Sequence, residues 1–172
     1  TRVMVVAALG REVPADPWSD DDDEMRKSFL TYALSGSRPV IMFDNLTGVV
    51  GTPLLAMIAT ANSIGGRRLG TLTDADVPWR SIIAVNGNNL QFASDLGRRV
   101  LVCDLDAKCE SPESREFKTD RLVAEVRVQH PVLVQAGLTV LRAYSCAGSP
   151  RQKLDAYGSF EAWDRRVRHA MV

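Results

Sequence analysis

The chain has 172 residues, of which 45% are hydrophobic and 24% are charged, a composition typical of a globular protein with one buried core. Its 21 basic residues balance its 21 acidic residues, so any DNA contact has to come from a local basic patch rather than from overall charge. The sequence has no apolar run of membrane-spanning length, no signal-peptide pattern and no paired cysteine spacing. These absences predict a cytoplasmic protein with reduced thiols and no membrane partner.

Three helices are predicted in the first part of the chain. Residues 1–9 form an apolar helix that ends at Gly10, and a second helix runs from the acidic cluster 19–24 to Gly36. The carboxylates of this cluster could bind a metal ion, but acidic residues in a first helical turn are also stabilised by the helix dipole. We favour the dipole interpretation. A third helix is predicted over residues 53–62.

Two apolar segments predict neighbouring strands of a parallel sheet. Residues 39–43 are followed by Asp44 and Asn45, and residues 81–85 are followed by the amide-rich run 86–89. Ligands of parallel sheets bind outside the carboxyl ends of the strands. Because polar side chains follow both segments, the sequence predicts a ligand site at this edge of the sheet.

The rest of the chain contains a predicted hairpin, one more strand and a helical region. Residues 65–78 are rich in small, β-branched and turn-forming residues, which predict a hairpin between the two strands. A third core strand is predicted at residues 100–105. Helices are predicted at 119–129, at 131–147 with a proline in its first turn, and from 159 towards the end of the chain.

This order of features resembles the ATPase domain of phage and mobile-element DNA primase-helicases, which are P-loop proteins related to AAA+ ATPases and superfamily three helicases. The resemblance is carried by a strand ending in Asp44-Asn45, a hairpin, a strand ending in Asn88-Asn89, the Asp95-Leu96-Gly97-Arg98-Arg99 segment, and the helical segments 138–144 and 158–163. It implies an α/β, three-layer P-loop NTPase core with a parallel sheet at residues 1–106, incomplete at its N-terminus. A small helical subdomain would follow at residues 107–172.

The resemblance assigns a role to each polar residue at the sheet edge. Asp44 takes the Walker B position and would hold Mg²⁺, although an aspartate that ends a strand can also cap a loop. Asn45 stands where many relatives have a glutamate that polarises the attacking water; an amide can orient water but is a poor base. Asn88 matches the sensor amide near the γ-phosphate, with Asn86 as the second choice, although asparagine is also a common turn residue.

Two arginine pairs complete the implied site. Arg98 and Arg99 match the arginine-finger region, which acts on ATP bound by a neighbouring subunit and so implies a ring-like homo-oligomer. The alternative is a surface pair beside a strand. Arg67 and Arg68 lie on the predicted hairpin, which contacts DNA in superfamily three helicases. Two aspartates farther along the hairpin leave open the alternative of a solvated hairpin.

One feature of the family is missing from the sequence. No Gly-x-x-x-x-Gly-Lys-Ser/Thr motif, which cradles the phosphates of ATP, occurs in the 172 residues. In the family this loop immediately precedes the helix that begins here at Thr1. The resemblance therefore predicts a fragment that binds ATP weakly, if at all. The complete protein would couple Mg²⁺-dependent ATP hydrolysis to DNA unwinding or translocation in replication; the alternative is a non-hydrolysing module that binds DNA or scaffolds a replication complex.

Overall fold

The computed structural model describes residues 1–67, 74–109, 116 and 119–172. The helices are α1 (Arg2–Leu9), α2 (Asp22–Ser35), α3 (Pro53–Ile58), α4 (Ser94–Gly97), α5 (Leu122–Cys146) and α6 (Glu161–Arg166), which is followed by a 3-10 helix (Arg168–Ala170). The strands are β1 (Val40–Val50), β2 (Ser63–Arg67), β3 (Asp74–Pro78) and β4 (Ile82–Phe92).

Strands β1 and β4 form a parallel two-stranded sheet, as the sequence predicts, but both are longer than predicted. The prediction that they end at the polar residues is wrong, because pairing resumes beyond an irregularity after Phe43. Gly87 makes this continuation possible: a Cβ atom at this position would lie 1.9 Å from the carbonyl oxygen of Leu46. Only glycine lets the two backbones approach so closely.

Helices cover both faces of β1, whose side chains alternate between the faces. Ile41 and Phe43 belong to the larger buried cluster, which α2 and α3 supply with residues such as Phe29. Val40 and Met42 belong to a smaller cluster on the other face, together with Val5 of α1. The structure thus confirms the α/β class at the level of a small parallel sheet packed between helices.

The predicted helix between the acidic cluster and Gly36 is confirmed, and two of the aspartates act as helix caps. The Asp21 side chain accepts hydrogen bonds from the backbone N–H groups of Asp23 (2.8 Å) and Glu24 (3.2 Å), so it caps α2. Asp22 accepts from the N–H of Leu54 at 3.1 Å, in the first turn of α3. The helix ends at Gly36 in the left-handed conformation.

The predicted hairpin is present as the antiparallel pair β2–β3, with Ser63 opposite Pro78 and Arg67 opposite Asp74. The buried side chain of Ile64 anchors it to the larger cluster. Arg67 ends β2, whereas Arg68 lies outside the described residues.

The prediction of a third strand at residues 100–105 is wrong. This segment is irregular, and the side chains of Leu101 and Leu105 are 71% and 88% exposed. The carbonyl oxygen of Val100 accepts a hydrogen bond from the Tyr157 hydroxyl at 2.6 Å instead of joining a ladder. An apolar β-branched segment becomes a strand only where another strand is available to pair with it.

The two helices predicted on either side of residue 130 form one helix, so the predicted break is wrong. Helix α5 contains Pro131 in its interior, at the cost of one backbone hydrogen bond. It packs along α1, where Nδ1 of His130 lies 2.9 Å from the carbonyl oxygen of Ala7. None of its residues is buried. Within the described part of the chain, no helix, α5 included, is long and apolar enough to cross a membrane.

Candidate functional site

The side chain of Asn86 connects three parts of the fold at the irregularity between β1 and β4. Its Oδ1 accepts a hydrogen bond from the backbone N–H of Asn45 at 2.9 Å, and its Nδ2 donates to Oγ1 of Thr1 at 3.1 Å. Because a backbone N–H can only donate, the amide oxygen has to face Asn45 and the amide nitrogen has to face Thr1. Asn86 therefore links both parallel strands to the beginning of α1.

Local conformation explains why these groups meet. Asn45 has a φ angle of 59°, which asparagine tolerates better than most residues, and the register of β1 against β4 shifts at this point. Packing of Val5 against Val40 and Met42 holds α1 over the sheet. Thr1, at the N-cap of α1, makes no side-chain cap to its own helix and instead accepts the hydrogen bond from Asn86.

The structure places the predicted sheet-edge residues in different settings. Asp44 and Asn45 lie at the irregularity of β1, and both are exposed. Asn88 is exposed and lies opposite Thr47, and its side chain makes no hydrogen bond to the described residues. Asn86, the second choice for the sensor amide, is half-buried, and its side chain makes the hydrogen bonds to Asn45 and Thr1.

The predicted arginine pair directly follows α4. Both guanidinium groups form ion pairs with Asp95, and Arg99 also donates to the Ala56 carbonyl oxygen (2.6 Å) and to Oγ1 of Thr60 (3.0 Å). These contacts connect α4 to the end of α3. Among the described residues, neither arginine makes a hydrogen bond or an ion pair with Asp44, Asn45 or Asn88.

The predicted DNA-contacting arginines lie at the end of β2 and just beyond it in the sequence. Arg68 lies outside the described residues, and Arg67 is described only by its backbone position in β2. Their assignment to DNA stays a prediction.

Metal binding at Asp44 requires ligands besides protein side chains. Among the residues that the structure describes, no group of three or more His, Cys, Asp or Glu residues could hold a metal ion. Mg²⁺ does not need such a group, since it is commonly held by one or two carboxylates together with substrate phosphates and waters. The Asp44 carboxylate is an oxygen donor of this type.

Thr1 is the site residue that sequence reasoning missed. From the sequence, Thr1 is predicted only to begin an apolar helix. A polar hydroxyl residue directly before such a helix is a recognised N-cap signal, and it could have drawn attention to this position. Its contact with Asn86, 85 positions along the chain, could not be inferred locally.

Comparisons of this chain with models of protein families, with curated proteins and with solved structures give no match.

Proposed function

We propose that this chain is part of an ATP-driven motor that acts on DNA, in the P-loop class that its sequence resembles. The observation that supports the proposal is the contact of Asn86 with Thr1 and with the backbone of Asn45, next to Asp44. A hydroxyl and an amide meet at the irregularity between the two parallel strands, where Asp44 precedes Asn45 in β1.

Each of these groups has a task in the proposed reaction. Asp44 would hold Mg²⁺, with the Thr1 hydroxyl as a second oxygen donor. Asn86 would orient the attacking water or the γ-phosphate, the task that the resemblance gave first to Asn88. The positive end of the α1 dipole favours an anion near Thr1. The phosphate-binding loop of this class does not occur in the 172 residues.

A second candidate function is a module that binds DNA or scaffolds a replication complex without hydrolysing ATP. The residue at position 45 favours it, because an asparagine cannot act as the general base that a glutamate provides. The two candidates differ in one measurable property, which is nucleotide turnover.

The proposed function is tested by comparing Asn86→Ala with Asn88→Ala in the full-length protein. Loss of one positioned hydrogen-bonding group at a reaction centre lowers kcat by about 10²–10³-fold, and we expect this loss for Asn86→Ala with KM changed only a few-fold. Asn88→Ala is the matched control, since it removes an exposed amide from the same strand. Mg²⁺-dependent ATP hydrolysis is measured with and without single-stranded DNA.

The other outcomes separate the alternatives. Normal turnover in Asn86→Ala together with lost turnover in Asn88→Ala would return the sensor role to Asn88. A folded wild-type protein that binds DNA but hydrolyses no ATP would support the scaffold function.

A further inference from the structure

Three arginines line a cavity between the beginnings of α1 and α5. The cavity has a volume of about 380 Å³, which lies within the range of small-molecule sites. Arg2 of α1 and Glu12 contribute to its wall from one part of the chain, and Arg121, Arg127 and the first turn of α5 contribute from another. None of the described residues assigned above to the ATP site lines it, so the cavity is a separate feature of the fold.

The carboxylate of Glu12 binds two of the three arginines. Its Oε2 accepts a hydrogen bond from Nε of Arg2 at 3.1 Å, and its Oε1 accepts one from Nη2 of Arg127 at 3.0 Å. The hydrogen bond from Arg2, together with the positive charges of both arginines, lowers the pKa of Glu12 below its ordinary value, so the group is an anion at neutral pH. Glu12 therefore occupies the position that an anionic ligand of these arginines would take.

The cavity has more positive charge and more donors than Glu12 can satisfy. The side chain of Arg121 makes no hydrogen bond or ion pair with the described residues, and Asp120 is the second carboxylate of the wall, so three guanidinium groups face two carboxylates. Helix α5 has no side-chain cap, and the backbone N–H groups of residues 122–124 donate no hydrogen bond within the part of the chain that the structure describes. Such donors at a helix N-terminus favour an anion.

We propose that this cavity binds a phosphate monoester group, which displaces Glu12 from Arg2 and Arg127 and also contacts Arg121. Guanidinium groups bind phosphate oxygens through parallel pairs of hydrogen bonds, and the phosphate carries about 1.5–2 negative charges at neutral pH, against one on Glu12. The side chains of the existing ion pairs are between 38% and 60% exposed, and pairs of this kind contribute little to stability. A small organic phosphate and the phosphorylated end of a nucleic-acid strand both present this group. The proposal does not depend on ATP hydrolysis.

The test measures the binding of inorganic phosphate to the full-length protein by isothermal titration calorimetry at neutral pH and low ionic strength. Arg121→Ala and Arg127→Ala should each weaken binding about tenfold or more, because each removes a hydrogen bond between charged groups. Glu12→Gln should strengthen binding, because it removes the competing carboxylate, which a purely structural role of Glu12 would not produce. Arg166→Ala removes an exposed arginine of α6 and is the matched control, which should bind phosphate like wild type.

Two oligonucleotides distinguish the sources of the phosphate group: a single strand with a terminal phosphate, and the same strand with a terminal hydroxyl. Tighter binding of the phosphorylated strand, strengthened further by Glu12→Gln, would assign the cavity to a strand end. Equal binding of the two strands, with the binding of inorganic phosphate retained, would assign it to a small organic phosphate.

Two results would overturn the proposal. One is the absence of phosphate binding by both wild type and Glu12→Gln. The other is equal phosphate binding by wild type, Arg121→Ala and Arg127→Ala. Because the Arg121 side chain makes no hydrogen bond with the described residues, its variant decides the question even if Arg127→Ala fails to fold.

Discussion

Asp16 contacts residues that are distant from it in the sequence. It is 9% exposed, its Oδ1 accepts a hydrogen bond from the Tyr32 hydroxyl at 2.7 Å, and Arg38 lies 3.4 Å from the same oxygen. The Arg38 guanidinium group also lies over the Tyr32 ring, 5.1 Å from its centroid. The backbone N–H of Asp16 donates to the carbonyl of Met42 in β1. These contacts attach α2 and the segment after α1 to the sheet.

Tyr32 makes this cluster sensitive to alkaline pH. Burial and the hydrogen bond to Asp16 raise the pKa of its phenol above the ordinary value of 10.0. The folded state thus favours the protonated phenol, and this contribution is present below about pH 10 and is lost as the pH rises through the raised pKa. In urea unfolding at pH 8 and pH 11, wild type should lose more stability than Tyr32→Phe.

Tyr144→Phe is the control for this comparison, because the Tyr144 hydroxyl donates to the backbone carbonyl of Pro150 and has no carboxylate partner among the described residues. It should follow the wild-type pH dependence. An equal loss of stability in wild type and Tyr32→Phe would show that the Tyr32–Asp16 hydrogen bond has no part in the alkaline response.

At the scale of elements, Asp21 caps the N-terminus of helix α2. Asp21 accepts two hydrogen bonds from the first turn, whereas Asp23 contributes only its charge near the N-terminus. Replacing an N-cap aspartate with alanine costs about 1 kcal/mol, and loss of a favourable charge near a helix N-terminus costs about 0.3–1 kcal/mol. We therefore expect Asp21→Ala to lower the free energy of unfolding more than Asp23→Ala, as measured by urea denaturation at neutral pH.

The same two variants distinguish the stabilisation by capping hydrogen bonds from the stabilisation by negative charge near the helix N-terminus. Raising the salt concentration to about 1 M reduces the charge effect, so the cost of Asp23→Ala should nearly vanish while that of Asp21→Ala persists. Equal costs that vanish together in salt would mean that Asp21 acts through its charge alone.

At the scale of the whole molecule, the packing of α1 against α5 joins the C-terminal helices to the sheet. His130 of α5 lies against Gly10, which ends α1 with a φ angle of 69°. A Cβ atom at Gly10 would lie 2.8 Å from the His130 ring, closer than real contacts allow. Gly36 has nearly the same backbone conformation, with a φ angle of 60°, but a Cβ atom there would meet no atom of another described element within 4 Å.

These two glycines provide a direct measure of the contact between α1 and α5. Both Gly10→Ala and Gly36→Ala introduce left-handed strain of about 1–2 kcal/mol. Gly10→Ala should cost at least about 1 kcal/mol more in chemical denaturation, because it also overpacks against His130. Adding His130→Ala to Gly10→Ala should remove this excess loss of stability. Equal losses in the free energy of unfolding for the two glycine variants would mean that the His130 ring moves aside at little cost.

Local sequence signals determined much of this protein. The acidic N-terminal turn and Gly36 delimit α2, Gly10 ends α1, and small and β-branched residues specify the hairpin, because caps and turns depend on residues that are close in sequence. The two apolar strands were also evident. The sequence alone led to the P-loop hypothesis and to the set of candidate residues Asp44, Asn45, Asn88, Arg98 and Arg99.

The tertiary structure decided what depends on partners distant in sequence. Residues 100–105 have the composition of a strand but no paired neighbour among the described residues, and Pro131 lies inside a helix that continues through it. Which of Asn86 and Asn88 contacts the backbone of β1 depends on the register of β4 against β1. Which side chain of a strand reaches a neighbouring element is set by this pairing, and pairing forms only when the chain has folded.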